Sequence, residues 1–153
     1  NGFTLSGEAA GDFSGWCVAS AGDVNGDGFA DVIVGAFRAG PHGTYSGASY
    51  VVFGKASGFA SNIDLSSLDG STGFKLSGVA KGDYSGFSVA SAGDVNGDGF
   101  ADLIAGRIQH REALDAGGED RRGGGHLRTV ARRCLWRPEA DGMDARWRRG
   151  RTG

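Results

Sequence analysis

An all-β fold assembled from repeated four-stranded units is predicted for this chain, and three observations predict it. The 153 residues include 30 Gly and only 2 Pro, a composition suited to short strands joined by tight turns. The decapeptide Gly22–Asp31 recurs letter for letter as Gly93–Asp102. Shifted by 71 residues, the chain overlays itself from Gly2 to Gly35, with 26 of 34 positions identical. Self-similarity on that scale marks a propeller, solenoid or array, whose units bury their apolar faces only against neighbours.

One period reads as four strands. Residues 14–21 (SGWCVASA) are short and rich in small side chains, which suits a crowded inner strand near a propeller axis. Residues 31–36 (DVIVGA) form a continuous apolar run, as in a strand covered on both faces. Residues 47–54 (GASYVVFG) make a third strand and residues 73–78 (GFKLSG) a fourth. Clusters of Gly, Ser, Asn and Asp separate them. Four antiparallel strands per unit of this length match a β-propeller blade. A complete blade is expected over about residues 15–78, with pieces of its neighbours on either side. No sustained 3.6-residue apolar period occurs before residue 107.

The overlay fails at a single position: Gly35 still matches Gly106, but Ala36 faces Arg107. Residues 1–106 carry 11 acidic and 4 basic side chains, residues 107–153 carry 7 and 12, and all 12 basic residues of the tail are Arg. Two regions follow, 1–106 of repeats and 107–153 of an Arg-rich, strand-poor tail expected to be poorly ordered. Such a tail fits a reading-frame error in GC-rich DNA. The competing reading, a basic extension for an anionic partner, is opposed by its acidic residues and by the lack of a binding motif. Without the second Tyr-Val-Val-Phe-Gly strand, a blade should stand unfinished with an open edge. The chain is accordingly read as a fragment.

The repeated loop carries the chemistry. In Asp23-x-Asn25-x-Asp27-Gly28-Phe29-x-Asp31, side-chain oxygens fall at positions 1, 3, 5 and 9, and the Phe29 carbonyl adds a donor at position 7. The second copy places Asp94, Asn96, Asp98, Phe100 and Asp102 in the same way, with Gly99 at the bend. Calcium takes six to eight hard oxygen ligands, and a glycine at position 6 permits the sharp turn around it. Three carboxylates within nine residues repel unless a cation neutralises them. Simple Asp-Gly and Asn-Gly hairpin turns would not need three spaced carboxylates twice over. Magnesium demands tighter octahedral geometry and is disfavoured. Position 12 is Val34 in one copy and Ala105 in the other, so the loop is neither an EF-hand nor a dockerin. Calcium is therefore the expected cofactor.

Asp-x-Asn-Gly-Asp-Gly-x-x-Asp, preceded by Ser88–Ala92 and followed by Asp102–Gly106, resembles the FG-GAP repeats of the integrin α-subunit propeller and their bacterial relatives. The name-giving residues are degenerate: Phe-Gly becomes Ser14-Gly15 and Ser85-Gly86, and Gly-Ala-Pro becomes Gly35-Ala36-Phe37. The resemblance covers residues 2–106. It implies a seven-bladed propeller with calcium in the hairpin between the first two strands of some blades. It also implies a secreted or cell-surface adhesion module without catalysis. Its partners would be an extracellular protein or glycan and further blades of the same protein. The alternative it allows is an accessory propeller of a secreted hydrolase similar to the phospholipase D that acts on glycosylphosphatidylinositol anchors.

Other chemistry is thin. His42, His110 and His126 form no catalytic set. Gly123–Gly125 lacks the Lys-Ser/Thr of a phosphate loop. Cys17 and Cys134 indicate no disulfide framework. No apolar run is long enough to span a membrane, so no membrane insertion is expected, and no nucleic-acid motif appears. Trp16 and Phe87 occupy equivalent positions and are read as packing between blades.

Overall fold

The computed structural model describes residues 2–108 and the backbone of Arg132–Cys134. Within them the fold is all-β: nine strands and a 3-10 turn at Leu65–Ser67. Among the described residues no helix is long and apolar enough to cross a membrane.

The first sheet contains β2 (Cys17–Gly22), β3 (Asp31–Ala36), β4 (Ala48–Val52) and β6 (Gly73–Ser77), in the order β2-β3-β4-β6. Every neighbouring pair is antiparallel. These are the four strands expected of a blade. β2 starts three residues later than the pattern suggests, because Phe13, Ser14 and Gly15 are used in a turn. That turn is closed by Trp16 N–H donating to the Phe13 carbonyl at 3.1 Å.

The apolar run of β3 has the predicted consequence. Ile33 points into one cluster with Val51, Phe74, Leu76 and the second sheet's Val89 and Leu103. Val34 and Ala36 point into the other, with Tyr50, Val52 and Leu65. β3 is therefore covered on both faces. Burial of such side chains stabilises by about 1.5–3 kcal/mol each.

The second sheet repeats the first two strands as β7 (Ser88–Gly93) and β8 (Asp102–Gly106). The register break between Ser20 and Gly22 recurs between Ser91 and Gly93. β9 (Arg132–Cys134) then pairs antiparallel with β8, with Leu103 opposite Cys134 and Ala105 opposite Arg132. This differs from the expected open edge. Residues of the tail take the place beside β8 that β4 takes beside β3, because an unpaired ladder of N–H and C=O groups accepts any extended segment. The expectation of disorder for residues 109–131 and 135–153 lies outside the described residues.

A feature not anticipated is a small parallel pair, β1 (Thr4–Ser6) with β5 (Asn62–Asp64). β1 is the repeat counterpart of β6, and its Leu5 packs against the Val34–Tyr50 cluster. Glu8 fastens this segment to the sheet. Its carboxylate accepts from the buried Tyr50 hydroxyl at 2.6 Å and pairs with Lys75. Those two partners hold the Glu8 carboxyl below its usual range, the lysine contact most strongly. The two sheets are neighbouring parts of a β-propeller, set side by side through β2 and β7.

Candidate metal centre

Each acidic loop joins the first two strands of its sheet, so both lie at the same end of the molecule. The strand ladder delivers Asp23 and Asp31, and their counterparts Asp94 and Asp102, to the loop ends. Gly28 and Gly99 adopt φ of 86° and 90°, the left-handed turn that a Cβ disfavours.

Backbone N–H groups organise the carboxylates. Asp23 Oδ1 accepts from Gly26 N–H at 2.7 Å and from Asp27 N–H at 3.1 Å, while its Oδ2 accepts from Gly28 N–H at 2.9 Å. Asp94 repeats this pattern with Gly97, Asp98 and Gly99. These bonds, Gly99 foremost, hold the Asp94 carboxyl below its usual range. Asp27 Oδ1 caps Phe29 N–H at 2.9 Å, and Asp98 does the same for Phe100 at 3.0 Å.

Asp31 stands apart because it is only 1% exposed. Its Oδ2 accepts from Val24 N–H and its Oδ1 from Gly54 N–H, each at 2.8 Å, which ties the loop to the end of β4. Burial pushes its carboxyl up, those two N–H groups oppose the shift, and the charges of Asp27 and Asp23 add to it. The three carboxylates of the first loop therefore feel one another. Asp102 uses Val95 N–H at 2.8 Å and also meets the Asn96 amide at 3.3 Å.

The structure thus brings Asp23, Asn25, Asp27, Phe29 and Asp31 into one loop, and Asp94, Asn96, Asp98, Phe100 and Asp102 into another. Among the described residues, no three His, Cys, Asp or Glu side chains gather tightly enough to enclose an ion. Charge and donor type fit a hard cation. The carboxylates are spread along the turns rather than closed round a point.

The two loops also touch. Ala101 N–H donates to the Asp23 carbonyl at 2.8 Å. The Phe100 ring lies over Gly26, where a Cβ would come within 2.4 Å of the ring.

At the opposite end of the strands lies a group of rings that sequence reasoning captured only in part. Trp16 and Phe87 come from the two copies and lie 5.8 Å apart, as packing between blades requires. Phe37 sits between them, 5.0 Å from Trp16 and 5.4 Å from Phe87. Phe13, Tyr45 and Tyr84 all adopt positive φ, between 48° and 58°, an arrangement that costs about 1–3 kcal/mol each. Arg38 lies over Phe13 at 4.6 Å and over Tyr45 at 5.5 Å. The available signal was the aromatic pair spaced by three, Phe13/Trp16, recurring as Tyr84/Phe87.

Comparison with known proteins agrees with this geometry. The FG-GAP repeat family matches residues 18–52 and 85–107, the strands and loops just described. These segments are similar to FG-GAP repeats. Mouse integrin alpha-E is 37% identical over 97 residues, covering 60% of this chain and 8% of that protein. The chain thus spans a small part of the length of the curated relative it matches. FG-GAP strands, an FG-GAP loop between the first two of them, and the similarity to an integrin α subunit mark an integrin-like propeller module.

Proposed function

We propose that this FG-GAP module is a calcium-stiffened, non-catalytic adhesion domain acting outside the cell. Asp23, Asn25, Asp27, Asp31 and the Phe29 carbonyl would hold one ion. Asp94, Asn96, Asp98, Asp102 and the Phe100 carbonyl would hold a second. The observation that carries this reading is uncompensated negative charge. Among the described residues the ion pairs are Lys75–Glu8 and Arg107–Asp83, and neither reaches a loop carboxylate. Burial is the main cause of the raised carboxyl of Asp31, and the charges of Asp27 and Asp23 add to it.

A cation bound there would fix the hairpin between the first two strands of each sheet. The loop contact through Phe100 and Ala101 would extend that stiffness across the sheet boundary. The connections at the far end, with their aromatic side chains and Arg38, would then be presented rigidly to an extracellular protein or glycan. Aromatic and Arg side chains are the types enriched at recognition surfaces.

Isothermal titration of the full chain with calcium chloride tests the reading. Two binding events are expected, at the high-micromolar to millimolar affinity of extracellular modules. Asp27→Ala and Asp98→Ala should each remove one event and leave the other. Both positions are exposed, so the fold should survive the changes. A flat titration up to millimolar calcium would overturn it.

A further inference from the structure

The junction between the two sheets is a template, because the repeat presents each of its sides a second time. On its first-sheet side stand Cys17, Ala19 and Ile33, with Gly26 in the loop. On its second-sheet side stand Val89, Leu103 and Phe100. Adding 71 to the first group gives Ser88, Ala90, Ile104 and Gly97, which lie on the second sheet facing away from the junction. Subtracting 71 from the second group gives Val18, Val32 and Phe29, which lie on the first sheet facing away from it.

Their exposure shows the missing half-contacts. Val89 is 7% exposed, whereas Val18 is 61% exposed. Ile33 is fully buried, whereas Ile104 is half-buried and Ala90 is exposed. Phe100 covers Gly26, whereas Phe29 is exposed and nothing lies within 4 Å of the Cβ position of Gly97.

We propose that a second copy of this chain docks head to tail on these faces. Val18 and Phe29 of one copy meet Ala90 and Gly97 of the other, repeating the internal junction. The two surfaces are complementary because they are the two sides of one contact already made inside the chain. Ala30 N–H would meet the Asp94 carbonyl as Ala101 N–H meets that of Asp23. Such a contact is heterologous: each copy has one face of each kind, and successive copies extend toward a ring or an open array. The inference stands independently of cation binding.

The full chain, measured by light scattering behind size exclusion up to about 100 µM, is expected to associate in a concentration-dependent way. Val18→Glu spoils one face and Ala90→Glu the other, so that the two spoiled faces also repel each other. Each variant alone should stay monomeric, with the association midpoint shifted by at least about tenfold. Their equimolar mixture should form a dimer and nothing larger, because each variant keeps one intact face. Phe29→Asp with Ser88→Glu provides a second pair at exposed positions, and circular dichroism confirms folding. A wild-type chain that is monomeric throughout would overturn the proposal. So would variants that associate like wild type, or a mixture that stays monomeric, as an unrelated sticky surface or a face reserved for another protein would give.

Discussion

Asp31 shows how much one residue can do in this fold. It is buried, negatively charged and spoken for by two backbone donors, one in its own loop and one just past the end of β4. Asp31→Asn keeps the shape but turns an NH2 toward a backbone N–H, leaving a buried donor unpaired. The expected loss is about 1–3 kcal/mol, read as a lower urea midpoint at unchanged slope. Glu8 makes a second residue-scale prediction. Its carboxyl is held below its usual value in the fold, so its contribution is fully present above the unfolded value of about 4.3. That contribution is lost as pH falls through the lowered folded value. Thermal melts should therefore find Glu8→Gln less stable than wild type at neutral pH, with the gap closing in strong acid. The gap should be modest, since the carboxylate is partly solvated.

At the scale of elements, identical loops have different surroundings. Gly26 and Gly97 share sequence context and nearly the same φ, 76° and 75°. Alanine at either incurs the left-handed penalty of about 1–2 kcal/mol. At Gly26 the added methyl would also drive into the Phe100 ring, whereas at Gly97 it meets nothing within 4 Å. Gly26→Ala should therefore cost at least about 1 kcal/mol more than Gly97→Ala in dilute solution, measured by chemical denaturation. Equal losses would show that the loops do not touch. Most strands were legible in advance, because a continuous apolar run such as residues 31–36 reports burial on both faces. β5 was not, since Asn62–Asp64 has no alternating pattern and pairs only because β1 lies beside it. β9 was not either: nothing in Arg132–Cys134 marks a strand, and its pairing is supplied by the edge of β8.

For the whole molecule, the loops and the sheet boundary act together. If calcium binds the folded chain alone, stability rises by about 2.7 kcal/mol per site at a hundredfold excess over Kd. EDTA should lower the melting temperature of the calcium-loaded chain, and added calcium should restore it. The Asp27→Ala, Asp98→Ala double variant should melt at the same temperature with or without calcium. A calcium-dependent melt in that variant would place the stabilising ion elsewhere. The sequence by itself determined the strand periods, the unit of repetition and the oxygen-rich loops, because these depend on spacing along the chain. Only the tertiary structure decided that Asp31 belongs as much to β4 as to its loop, that Phe100 reaches across to Gly26, and that Arg38 lies among rings. Those contacts join residues far apart in the chain, and identical stretches such as Gly22–Asp31 and Gly93–Asp102 cannot encode the different neighbours that packing gives them.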